Sequence, residues 1–164
     1  MNRSIRSARR FVSACALVGA FATPAMADGT IVKVTLWDKG TSAPMAMDEG
    51  LGMKHASMAN SNMGIKLSKK SVKAGEVTFE VTNSSKETVH EMLVAPAPTD
   101  GKFPYDEKDA KFDEEKADSL GEVEETDPSK GGKLTLNLKP GKYILSCNVA
   151  NHFANGMWTM FTVE

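Results

Sequence analysis

Cysteine, histidine and long apolar runs are scarce in this chain of 164 residues. It holds two cysteines, Cys15 and Cys147, and three histidines, His55, His90 and His152. No apolar run reaches the roughly 18 residues that a spanning helix needs, which excludes a polytopic membrane protein. Positive charge is not in excess: 20 Lys+Arg stand against 21 Asp+Glu, a formal net charge of −1. That balance argues against a nucleic-acid binder. What is present, 41% hydrophobic and 25% charged residues, is ordinary for one globular domain and excludes a collagen-like or wholly disordered chain.

The averages conceal distinct segments. Residues 1–27 read as an export signal. Arg3, Arg6, Arg9 and Arg10 precede the apolar stretch Phe11 to Phe21, and Ala25-Met26-Ala27 forms a small-x-small cleavage site. Arg9-Arg10 is close to a twin-arginine pattern, with the phenylalanine one place early. Removing 27 residues leaves a domain over 28–164, and the location expected for it is the periplasm or another extracytoplasmic compartment. The shortened chain has a net charge of −5; the segment 100–127, with 12 acids and 4 lysines, has −8, and the rest is +3. Cys147 is then the only thiol. An intramolecular disulfide is excluded, leaving an inert buried thiol, an intermolecular bridge, a nucleophile or a metal ligand.

The hydrophobic pattern is that of strands. Val32, Val34 and Leu36 alternate with polar residues, as do Val77, Phe79 and Val81, and Leu134, Leu136 and Leu138. Ile65 to Lys69 is a further extended candidate. Val89 to Ala95, which contains His90, is more continuously apolar. Tyr143, Leu145 and Cys147 share one face after the Pro140-Gly141 turn, and Met157 to Val163 ends the series. Helix is expected only in Tyr105 to Asp118 and around Lys54 to Asn60. The pattern predicts an all-β, antiparallel β-sandwich.

The segment from Cys147 to Met157 reads C-x4-H-x4-M on one loop between two strands. A thiolate, an imidazole and a thioether within 11 residues can converge on one ion, and so soft a set favours copper over calcium or magnesium. A second imidazole would come from His90 or His55. Too few histidines and carboxylates surround the cysteine for a zinc catalytic site, and a Cys-His nucleophile would need a third, orienting group.

Three stretches resemble the cupredoxins, the type 1 blue copper proteins: Val72 to Asn83, Leu138 to Cys147, and the ligand loop running on to Val163. Together they cover 38 of the 137 residues after the signal. Four residues between Cys and His look like the spacing of rusticyanin and sulfocyanin. The resemblance implies a Greek-key β-sandwich binding one type 1 copper through His90, Cys147, His152 and Met157, with Met160 as a rival axial ligand that reads better as core. It implies an electron carrier and not an enzyme, a monomer that exchanges single electrons with redox proteins such as a cytochrome or an oxidase. Copper-A centres need two cysteines and multicopper oxidases need more histidines. Where many relatives have Asn or Ser after the first His, Glu91 stands here, as an exposed residue or as a hydrogen-bond partner of Asn148. Val149, Ala150, Phe153, Trp158 and Phe161 would make the surroundings apolar and raise the potential. An apolar rim of Val149, Ala150, Phe153 and Ala154 is expected around His152.

Two segments lie outside the resemblance. Met45, Met47, Met53, Met58 and Met63 crowd into 45–63 together with His55. They serve as adaptable packing or as an auxiliary Cu(I) station, the latter pointing to a copper carrier, buffer or resistance protein. The acidic insertion 100–127 reads as a solvated loop that could also steer a basic partner.

Overall fold

The computed structural model describes residues 29–40 and 62–164. The signal segment, the candidate helix at 54–60, His55 and the methionines from Met45 to Met58 lie outside the described residues. Eleven strands are described: β1 (Thr30–Asp38), β2 (Met63–Leu67), β3 (Ser71–Val72), β4 (Gly75–Asn83), β5 (His90–Pro96), β6 (Tyr105–Asp106), β7 (Lys111–Phe112), β8 (Gly121–Thr126), β9 (Gly131–Leu138), β10 (Gly141–Ser146) and β11 (Trp158–Val163). No helix occurs among the described residues.

The strands build two main sheets, ordered β2-β1-β4-β9 and β3-β11-β10-β5-β8, plus the β6-β7 ribbon. The all-β sandwich expected from the alternation is present. Two of its pairs run parallel, β1 with β4 and β11 with β3, where antiparallel pairing was expected throughout. The alternating residues meet between the sheets. Val32, Val34 and Leu36 of β1 and Val77, Phe79 and Val81 of β4 form one core with Met92, Val94, Leu145, Cys147, Met157 and Phe161. Phe79 and Phe161 meet edge to face across it, ring centroids 5.4 Å apart. Tight closure of β4 on β9 requires glycine: a Cβ on Gly131 would lie 2.1 Å from the Val81 carbonyl oxygen.

The five-stranded sheet is buried on both faces, which explains why β5 reads as a continuous apolar run. Its outer face carries Leu93, Ala95, Ile144 and Trp158. Phe103, Phe112 and Ala117 of the insertion cover them together with Phe153. The insertion is therefore not simply a solvated loop. Tyr105 to Asp118 is also not helical. The Asp106 and Asp113 carboxylates accept hydrogen bonds from the backbone N–H groups of Lys108 (2.8 Å) and Lys116 (3.1 Å), and Ala110 and Asp118 both have φ near +53°. Local side-chain bonding of this kind competes with helix. Beyond it, β8 is an edge strand that the acidic sequence concealed. Only Val123 and Thr126 of it are buried, and its exposed glutamates suit an edge.

Candidate metal centre

Three elements bring the expected side chains together. His90 opens β5, Cys147 directly follows β10, and His152 lies on the loop that leads to β11. The loop is closed by its own backbone: the Cys147 N–H donates to the Met157 carbonyl at 3.0 Å, and the Met157 N–H to the His152 carbonyl at 3.0 Å. Asn151 (φ +69°) and Gly156 (φ +88°) supply its left-handed positions, which Asn and Gly tolerate best. In front of His90, buried Asn83 holds the approach loop. Its Nδ2 donates to the Thr88 and Thr126 carbonyls at 2.9 and 2.8 Å, and its Oδ1 accepts from the Ser85 N–H at 2.9 Å.

His90 Nδ1 lies 3.2 Å from His152 Nδ1, and His152 Nδ1 lies 3.3 Å from Cys147 Sγ. All three residues are buried. Burial holds the His90 pKa below its ordinary value against the opposing pull of Asp38. Burial, with the neighbouring His90, lowers His152 to about 4. Both imidazoles are therefore neutral near pH 7 and carry lone pairs. Burial pushes the Cys147 thiol up to about 12, against hydrogen bonds from the backbone N–H groups of Glu91 and Val149. A thiol so poorly ionised is no nucleophile on its own. Two neutral imidazoles and a thiol within reach of one point are a soft donor set that fits a copper ion. Met157 is fully buried in the same core cluster as Cys147, whereas Met160 packs on the outer cluster with Phe153 and Trp158. The opposite facing expected of the two methionines is thus observed.

No protein-family model and no curated protein matches the sequence. Solved structures do match. Reduced auracyanin from the photosynthetic bacterium Roseiflexus castenholzii is similar at TM-score 0.52 and 18% identity, over 84% of this chain and 98% of that one. Rusticyanin from Thiobacillus ferrooxidans is similar at TM-score 0.53 and 15% identity, over 84% and 79%. Auracyanin B is similar at TM-score 0.52 and 18% identity, over 88% and 92%. The chain has the cupredoxin fold.

Beside this cluster, Glu91 takes the second of its two expected roles. It is 7% exposed, and its Oε1 accepts from the Asn148 backbone N–H at 3.0 Å. Burial raises its carboxyl to about 7, opposed by that bond and reinforced by Glu122 and Glu114. The Asn148 side chain faces the insertion instead. Its Oδ1 accepts from the Phe112 N–H at 2.8 Å, and its Nδ2 donates to the Phe112 carbonyl at 3.0 Å and to Glu114 Oε1 at 2.8 Å. The Asn151 N–H adds a bond to the Ala110 carbonyl at 2.8 Å. The insertion thus grips the ligand loop.

The expected rim around His152 needs one correction. Ala150 is exposed and Val149 and Ala154 are half-buried, but Phe153 is 1% exposed, enclosed by Phe103, Tyr105, Phe112 and Trp158. It belongs to the core beneath the insertion. Asp38 escaped the sequence reading as a site residue. Its carboxylate lies 2.8 Å from His90 Nε2. Burial would raise its pKa, but hydrogen bonds from Ser85, His90 and the Gly40 N–H outweigh burial and hold it below the ordinary value. Its only sequence signal was an acid closing an apolar strand.

Proposed function

We propose that this protein is an exported type 1 copper protein that carries single electrons between redox partners, with one copper per chain held by His90, Cys147, His152 and Met157. The observation that carries the reading is the convergence of two neutral imidazole nitrogens and one thiol in a buried cluster. Bound there, copper would supply a one-electron Cu(II)/Cu(I) couple. The chain's own residues do the rest. Cys147 offers its sulfur where the Glu91 N–H, 3.4 Å away, can share the charge of the thiolate. The sandwich, the closed Cys147–Met157 backbone and the Asn148 contacts hold the donors in place, which keeps rearrangement between oxidation states small. Burial keeps water from the cluster. Rusticyanin, whose fold this chain shares, is a copper protein, which supports the assignment of the metal. The closed, buried centre supports electron carriage between proteins over catalysis. The amino-terminal signal supports a location outside the cytoplasm.

The test is an optical spectrum during Cu(II) titration of the purified protein. An intense visible thiolate-to-copper band that saturates at one equivalent is expected. A colourless complex, or saturation with zinc in preference to copper, would overturn the assignment.

A further inference from the structure

Asp38 ends β1, in the sheet opposite β5, yet its side chain is only 6% exposed. It is held from three directions. Oδ2 meets His90 Nε2 at 2.8 Å, Oδ1 accepts from the Gly40 N–H at 2.6 Å, and the Ser85 hydroxyl bonds to the carboxylate. Ser85 is itself fixed, because its Oγ accepts from the Thr88 N–H at 2.9 Å. The carboxylate cannot swing away from the imidazole without breaking all of these.

We propose that Asp38 is a positioning residue that locks His90 in its Nε2–H tautomer, presents the Nδ1 lone pair to the metal cluster, and biases a bound copper toward Cu(II). This rests on the copper reading above. A neutral imidazole carries one proton. Were it on Nδ1, that nitrogen could not be a ligand, and the Nε2 lone pair would face a carboxylate at 2.8 Å. With the proton on Nε2, a charge-assisted hydrogen bond forms on one side of the ring and a free lone pair faces Cys147 and His152 on the other. The fixed negative charge makes the imidazole a stronger donor, as carboxylates behind metal-bound histidines do. A stronger donor stabilises the more highly charged ion. Asp38 therefore works against the surrounding apolar core, which favours Cu(I).

Two variants separate tautomer from charge. Asp38→Asn keeps an oxygen acceptor for Nε2–H and removes the charge. Asp38→Leu removes both. In the metal-free protein, nitrogen NMR should show His90 as the Nε2–H tautomer in the wild type and in Asp38→Asn, and a mixture in Asp38→Leu. In the copper-loaded protein, Asp38→Asn should keep the blue band and lose about tenfold to a hundredfold in Cu(II) affinity relative to Cu(I). Each tenfold corresponds to about 59 mV of upward shift for one electron. A wild-type Nδ1–H tautomer overturns the lock. A blue protein whose potential is unmoved or lowered by Asp38→Asn overturns the bias alone, and a wild-type chain with no blue band overturns the copper reading and the bias together. Should Asp38→Leu fail to fold, the wild-type tautomer and the Asn variant still decide.

Discussion

At the residue scale, the four proposed donors divide by how they could be read from the sequence. Cys147 and His152 were legible because they sit on one short loop with Met157, so local sequence alone brings them close. Scarcity of histidine left His90 or His55 as the second imidazole, and only the resemblance chose His90, since its partners are more than 50 positions away. Asp38 was not legible at all: its role depends on one sheet end lying over another, and no local pattern encodes that. Three substitutions test the donor roles. Cys147→Ser should abolish the thiolate-to-copper band while the far-ultraviolet circular dichroism of the sandwich persists. A persistent blue colour would remove Cys147 from the ligand set. Met157→Leu should raise the reduction potential in voltammetry, because a donor to Cu(II) is lost. Met160→Leu, on the outer cluster, should leave it nearly unchanged, and the reverse order would exchange their roles.

At the element scale, strands with clean alternation (β1, β4, β9) were readable because each has one face in the core. β5 read as apolar throughout because the insertion covers its second face, and the insertion itself was misread because its acids outnumber the three buried residues that do the covering. Charge composition reports the solvent side of a segment and says little of what lies beneath. The insertion's grip on the ligand loop gives a measurable cost. Phe153→Ala should destabilise the protein by about 3–5 kcal/mol, the usual range for a buried phenylalanine. Asn148→Ala, which strands the Phe112 backbone groups, should cost about 1–3 kcal/mol. Denaturant unfolding of the metal-free protein measures both. The methionine-rich segment divides at its end. Met63 is 8% exposed and belongs to the core, so a deletion through it would damage β2. Removing residues 45–60 instead should leave copper at one per chain. Extra Cu(I) bound by the full chain in chelator competition and lost on that deletion would instead establish a second station.

At the scale of the whole molecule, charge and apolar surface act over different ranges. The acids of 100–127 project a field that salt screens over about 10 Å at 0.1 M. Neutralising the acids between Asp106 and Asp118 should slow electron exchange with a basic partner at low ionic strength only. Ala150→Lys, on the exposed part of the ligand loop, should slow it at every ionic strength, without shifting the spectrum. Equal salt dependence in both variants would show that one surface does both jobs. The covered outer sheet has a further consequence for how such a domain can change in length. An insertion that merely looped into solvent could be trimmed freely, but this one is the second wall of a core. A shortened chain joining Ala97 to Leu120 would bare Leu93, Ala95, Ile144, Phe153 and Trp158 as one contiguous patch, and patches of that kind drive self-association. Light scattering should find such a chain oligomeric or insoluble. Trimming would succeed only with polar residues placed on the same strands at the same time, so the loop and the sheet it covers form one heritable unit.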